Sequence, residues 1–279
     1  MAHADRGRPG AVVLINPNTS TATTAMMTAI ARRALGPALP VRGVTAAHGP
    51  LMLTDPDALR AAAPEVLTAG LHAMAQGDCA ALLVAAFGDP GLTALREATA
   101  ATSATSTMSV TDATAALRAR RAAEARRAAE ARRAAEATAA AAAGAAETPP
   151  AAGIPVVGIG EAALLEAAAD GTPFGIATTT PLLAEAIAER VTALGLADRY
   201  TGLRLTEGAP ERLSADPALL LDQLESAVRA CAERDGARAV VIGGGPLGEA
   251  AEELQARCAV RVVAPIPAAC RAIVRLLTA

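Results

Sequence analysis

The chain has 279 residues, 52% of them hydrophobic and 19% charged, enough to bury a sizeable core and to hold two domains of moderate size. A net charge of −3 offers no basic field for nucleic acid, and Phe87, Phe174 and Tyr200, its aromatic residues, give no base-stacking platform. No apolar run approaches the roughly 20 residues that cross a membrane, so the expected partner is a small molecule, and the absence of a signal peptide points to the cytoplasm.

In chain order, the first predicted unit is a strand over Val12–Ile15, a polar turn, and an alanine-rich helix over Thr21–Leu35. Asn16, Asn18, Thr19 and Ser20 fill that turn. Short hydroxyl and amide side chains at a helix N-terminus either cap the helix or, with the N–H dipoles, hold a carboxylate or other small anion. A second strand over Val41–Thr45 runs into His48 in TAAHGP, a residue poised between a turn histidine and a site residue. After a helix over Asp57–Gln76, a strand over Ala81–Ala85 ends in the turn AFGDPGL. Phe87 and Gly88 sit where backbone N–H groups face a ligand, and Asp89 reads first as an N-cap ahead of Pro90, second as an acid/base group.

Residues 101–152 change character: Ala, Arg and Glu dominate, with Arg120–Glu124, Arg126–Glu130 and Arg132–Glu136 spaced four apart, as in a salt-bridged helix. The stretch has almost no large apolar side chain, so it reads as a low-complexity insertion outside the core. It divides the chain into an N-terminal α/β half (1–100), the insertion (101–152), a second α/β half (153–266) and a terminal helix (267–279) expected to pack on the first half.

The second half repeats the first. A strand over Pro155–Ile159 leads to Glu161, whose charge suits a helix N-terminus. A strand over Phe174–Thr178 then opens a turn of Thr178, Thr179 and Thr180 and a helix over Leu182–Leu194. Further predicted elements are strands over Leu203–Thr206, Ala239–Gly243 and Val260–Ala264 and a helix over Pro217–Arg234. The strand before Gly244 and Gly245 ends in VVIGGGPLGE, an echo of AFGDPGL. Alternating strands and helices predict an α/β protein of two pseudo-symmetric parallel-sheet, Rossmann-like domains, with the ligand in an interdomain cleft beyond the strand ends. GGGPLGE lacks the lysine and hydroxyl of a phosphate loop, and the chain has no lysine, so no nucleotide cofactor is expected. Cys79, Cys231, Cys258 and Cys270 show no CxxC spacing and fall away from the turns, so they read as small buried hydrophobes, and no metal is expected.

Taken together, INPNTS, GDPGL followed by Arg96-Glu97, PVVGIGEA and the glycine-rich second turn resemble the hydantoin racemase branch of the aspartate/glutamate racemase superfamily. The resemblance spans about Val12 to Ala100 and Ile154 to the C-terminus. It implies cofactor-free proton movement at a carbon beside a carbonyl, by two cysteines on opposite faces of that carbon, with the polar loops holding carboxylate and carbonyl. It also places Ala86 and Gly244 at the two cysteine positions, and neither side chain can take a proton.

The expected function is therefore cofactor-independent proton transfer on a small amino-acid-derived carboxylate or hydantoin, without the usual thiol pair. His48, Asp89 and Glu161 are the remaining acid/base candidates, and Asn16, Asn18, Thr19, Ser20, Phe87, Gly88, Thr178, Thr179, Thr180, Gly244 and Gly245 the expected substrate contacts. A single-base lyase or decarboxylase on the same scaffold and a non-catalytic binding protein are the alternatives. A homo-oligomer is left open.

Overall fold

A computed structural model describes residues 10–104, 153–208 and 210–279. The first sheet holds β1 (Ala11–Asn16), β2 (Val41–Thr45), β3 (Cys79–Val84) and β4 (Val156–Gly158), all parallel, in the order β2-β1-β3-β4. The second holds β5 (Phe174–Thr178), β6 (Tyr200–Leu205), β7 (Ala239–Ile242) and β8 (Arg261–Val263), in the corresponding order β6-β5-β7-β8. The central strands are continuous apolar runs because parallel sheets are covered on both faces: Val12 to Ile15 and Leu82 to Val84 are wholly buried.

The helices start where the sequence provides caps. The Ser20 side chain accepts from the Thr23 N–H to open α1 (Thr21–Leu35). Asp55 followed by Pro56 opens α2 (Pro56–Ala75), and Asp216 followed by Pro217 opens the long helix Pro217–Glu233 in the same way. α3 (Leu92–Ala104) follows β3. The predicted insertion begins within its last turn, and the rest of it, with its Arg–Glu pairs, lies outside the described residues. Later come α4 (Ile159–Ala167), α5 (Ala184–Ala193), α6 (Pro210–Ala215), α7 (Pro217–Glu233), α8 (Ala250–Arg257) and α9 (Pro265–Thr278).

One sequence expectation needs correction. The strand near 155–159, assigned to the second half, completes the first sheet: Leu82, Leu83 and Val84 of β3 register with Val156, Val157 and Gly158. The division between sheets therefore falls between Gly158 and Phe174, since the open edge of β3 takes up this strand before the chain crosses over. The terminal helix α9 returns to the first half, where Ile266, Ala269, Cys270 and Ile273 join Val12, Leu14, Met27 and Ile30 in one apolar cluster. A second cluster joins Phe87 to Phe174, Ile176 and Leu183, so the halves share packed surface. No helix among the described residues is long and apolar enough to cross a membrane.

The joint between β4 and α4 is built around missing side chains. The Asp89 carboxylate, from the turn after β3, occupies the space where a Cβ on Gly158 would stand. A Cβ on Gly160 would lie 2.6 Å from the Phe87 carbonyl oxygen and 2.9 Å from the Asp89 carboxylate. The glycines of GIGEA therefore answer to close approach. Gly158→Ala is expected to lower unfolding stability by about 1–3 kcal/mol, the usual penalty for an overpacked interior. Urea denaturation measures it, and a change within a few tenths would show that the joint yields freely.

Candidate functional site

Beyond the carboxyl ends of both sheets lies a cleft of about 590 Å³, a size suited to a drug-sized ligand. It is walled by the turns after β1, β3, β5 and β7 together with α1, α7 and the loop that follows β2. The two glycine turns nearly touch across its floor. A Cβ on Gly245 would meet the Met27 sulfur at 2.8 Å and the Ala85 carbonyl oxygen at 3.4 Å, so a side chain there would push the halves apart.

The polar wall contains Asn16, Asn18 and Ser20 from the first half and Thr179 and Thr180 from the second, with Thr23 added by α1. Their hydrogen bonds separate scaffold from free donors. Asn16 is buried, and its amide donates to Asn18 Oδ1 at 2.8 Å, Thr24 Oγ1 at 2.9 Å and the Ser20 carbonyl at 3.1 Å. It thus holds the turn in shape. Asn18 Oδ1 is also occupied, accepting from the Ser20 N–H at 2.9 Å, which leaves the Asn18 NH2 group as the donor toward the cleft. On the other side Thr178 is wholly buried, donating to the Gly243 carbonyl at 2.8 Å and paired with Thr180 at 3.1 Å. Thr178 and Thr19 support the loops without lining the cleft. Thr19 donates through its N–H to the Pro50 carbonyl at 3.1 Å, tying the polar turn to the loop after β2.

Phe87, Gly88, Gly244 and Gly245 line the cleft, as does Ala86, so the positions expected to face the ligand are brought together. The N–H groups of Phe87, Gly88, Thr179 and Thr180 have no protein acceptor among the described residues.

The expected acid/base residues do not converge here. His48 projects into solvent with its side chain 85% exposed and lies 3.6 Å from Glu65, outside the cleft, because its turn directs it outward. Asp89 is turned away from the cleft by a left-handed backbone, φ 46°. Its carboxylate accepts from the Gly160 N–H at 2.9 Å and the Glu161 N–H at 2.6 Å, so it caps α4, not the helix that follows Pro90. Glu161 is held by Arg96 at 2.8 Å and Arg190 at 2.6 Å, and Arg190 also reaches Asp89 at 3.8 Å. These four charges form a brace behind the site, joining the turn after β3, α3, α4 and α5.

The cysteines lie elsewhere, and none lines the cleft. Burial pushes the thiols of Cys79 and Cys231 up to about 11 and that of Cys270 to about 12, and it raises Cys258 as well, so the thiolate forms are suppressed. Among the described residues no group of three His, Cys, Asp or Glu side chains is arranged to hold a metal.

Two features escaped the sequence reading. Among the described residues, Glu249 and Glu253 are the ionisable side chains that line the cleft, both at the second-half rim, and Glu253 is engaged by Arg257. Their spacing of four, immediately after the glycine turn, places both on one helical face and was the available signal. The other is an apolar wall headed by Leu51, Met52 and Leu53 in the loop after β2.

Burial raises the Asp89 carboxyl from 3.8 to about 7, against its two N–H bonds and Arg190. A group that titrates higher in the folded chain adds stability that is full below its unfolded value of 3.8 and is lost as the pH rises through about 7. Melting temperature should therefore decline across this window in the parent chain relative to Asp89→Asn, whose own profile should be flatter at a lower overall stability. Identical slopes in thermal melts of the two proteins would contradict this assignment.

The fold agrees with that of known proteins. A profile of the Asp/Glu/hydantoin racemase family matches residues 12–123 and 98–273. The hydantoin racemase of Paenarthrobacter aurescens is 22% identical over 260 residues, 93% of this chain and 88% of that protein. The allantoin racemase structure from Klebsiella pneumoniae aligns with a TM-score of 0.72 at 23% identity, covering 96% of this chain and 88% of that one. A structure of unliganded arylmalonate decarboxylase aligns at 0.53 and 19% identity, covering 96% and 92%. With matches across nearly its whole length and two parallel four-stranded sheets facing one cleft, the chain belongs to the Asp/Glu/hydantoin racemase family.

Proposed function

We propose that the cleft binds a small amino-acid-derived cyclic amide, of the hydantoin type, and that proton transfer there is one-sided and needs no cofactor. The observation that carries this reading is the lining of the two opposed turns: Ala86 on one, Gly244 on the other, with carboxylates at one rim alone. Inverting a stereocentre needs one group to remove the proton and another to deliver one to the opposite face. A methyl group and a hydrogen do neither.

The polar groups favour a neutral amide over a carboxylate. Among the described residues no arginine or histidine lines the cleft, while Glu249 and Glu253 add negative charge at its rim. An anion entering the site would meet repulsion without a compensating cation. A cyclic amide instead offers carbonyl oxygens to the Asn18 NH2 group and to the free N–H groups of Phe87, Gly88, Thr179 and Thr180. Those same donors would stabilise the enolate formed when the adjacent C–H proton leaves. Glu249 accepts that proton in this reading, and the proton returns from the same side.

A second reading, binding without catalysis, has one observation in its favour: Glu249 is exposed, so its carboxylate keeps its hydration. Chiral chromatography of a single enantiomer of a 5-substituted hydantoin tests both. The parent chain should bind it without inverting it faster than buffer does. Ala86→Cys combined with Gly244→Cys should introduce inversion, since it supplies a thiol at each turn. The Cβ at 244 would lie 2.9 Å from Leu247 Cδ1, a side-chain end that can swing aside. Rapid inversion by the parent chain would overturn the one-sided reading. Glu249→Gln should lower proton exchange by about 10²- to 10⁴-fold if Glu249 is the base. Binding with no exchange in either protein would establish the non-catalytic alternative.

A further inference from the structure

The turn that carries Phe87 and Gly88 is backed by a helix from the other half of the chain. Ala186, Ile187 and Arg190 of α5, with Leu183 just ahead of it, share one helical face, and that face borders a small cavity of about 50 Å³ directly behind the turn. Packing around a void restrains a turn less firmly than close packing does, so the polar contacts beside it carry more of the restraint. Arg190 is the charged residue on this face. Its guanidinium donates to Glu161 at 2.6 Å and lies 3.8 Å from Asp89, the residue after Gly88. Arg96 holds the same Glu161 from the first half, bonding its two carboxylate oxygens at 2.8 and 3.1 Å. The Asp89 and Glu161 side chains are 1% and 16% exposed, so water and salt screen these contacts poorly. At its other end α5 is tied to the second donor turn: the Leu183 N–H donates to the Thr180 carbonyl at 3.2 Å, and the short helical turn Pro181–Leu183 runs straight into α5. Arg190 thus connects the Phe87–Gly88 turn to the helix that extends from Thr179 and Thr180.

We infer that Arg190 is a positioning residue that fixes the spacing of the two opposed donor turns, so that one ligand with two carbonyl groups engages both turns at once. The inference rests on the reading of the cleft as a cyclic-amide site and assigns the group that makes its donors act together. Arg190 does not line the cleft, so it acts through the turns and not on the ligand. A hydrogen bond is lost when donor and acceptor drift from about 3 Å to about 3.6 Å, so a small change in spacing is enough to break one of two simultaneous contacts. The second contact also gains from the first only while the geometry that links them holds. Without Arg190 each turn still donates, but a two-carbonyl ligand loses its advantage over a one-carbonyl ligand.

Calorimetric titration of the full chain with hydantoin, which has two ring carbonyls, and with 2-imidazolidinone, which has one, reads the coupling as the ratio of the two affinities. The parent chain should prefer hydantoin by about 2- to 10-fold, the worth of one further hydrogen bond. In Arg190→Met the ratio should fall toward one while 2-imidazolidinone binds as before. Arg190→Lys keeps a positive charge beside Glu161 and should restore most of the ratio. Glu161→Gln weakens the same contact from the other side and should lower the ratio too, and joining it to Arg190→Met should add little, because the two changes break one interaction. Should Arg190→Met fail to fold, the ratio in Glu161→Gln decides. A merely structural role would weaken both ligands alike. Equal loss of both affinities in Arg190→Met, an unchanged ratio, or a lysine variant no better than the methionine one overturns the inference. Hydantoin bound by the parent without preference over 2-imidazolidinone overturns it and leaves the cyclic-amide reading in place, whereas failure of both compounds to bind the parent overturns that reading as well.

Discussion

The Asp89 carboxylate seated on the N-terminus of α4 is the contact on which the rest of the structure depends. It spans the turn after β3 and the joint after β4, and it fits because Gly158 and Gly160 leave room for it. Arg190 of α5 and Arg96 of α3 meet Glu161 beside it, so the same cluster connects both sheets. A buried carboxylate is costly, and two helix N–H groups and a guanidinium offset part of that cost here while burial still raises the group to about 7. Phe87 and Gly88, two residues and one residue before it, line the cleft, so the brace sets the position of the groups that face the ligand.

The chemistry of the cleft follows from what its two central turns present. Gly245 can have no side chain because Met27 and the Ala85 carbonyl stand in its place, and this contact brings the halves together. The resulting site is rich in neutral donors and poor in ionisable groups. The thiols of Cys231, Cys258 and Cys270 are buried and that of Cys79 is half-buried, all suppressed by desolvation, and the carboxylate pair behind the site is committed to arginines. The structure therefore separates charge used for holding the fold from polarity left for binding. In the proposed reading, such a division suits a neutral polar head.

Much of the fold was legible because parallel strands read as uninterrupted apolar runs, as in VVLI and AVVI, and because Ser20, Asp55 and Asp216 mark helix starts with their own side chains. β4 was assigned to the wrong half because three apolar residues carry no sign of which sheet edge they will join. Asp89 was recognised as a cap, but the helix it caps begins some 70 residues later, and long-range pairing of this kind leaves no local periodicity. The turn holding His48 was placed correctly while its outward direction was invisible, since side-chain direction in a loop depends on tertiary contacts. Glu249 and Glu253 could have been found from their helical spacing, and the Leu51–Met52–Leu53 triplet from the oddity of three large apolar residues in a loop.

The central claim is that proton transfer in this cleft has one available side. Its most direct test is the ratio of deuterium incorporation to inversion for one enantiomer of 5-benzylhydantoin in heavy water, followed by NMR and chiral chromatography with a buffer control. The account predicts that the protein adds no inversion: deuterium enters with retained configuration, or does not enter at all while the ligand binds. Inversion accelerated in step with exchange would contradict the account, since it would require a second proton-transfer group on the face opposite Glu249, where Ala86 offers none.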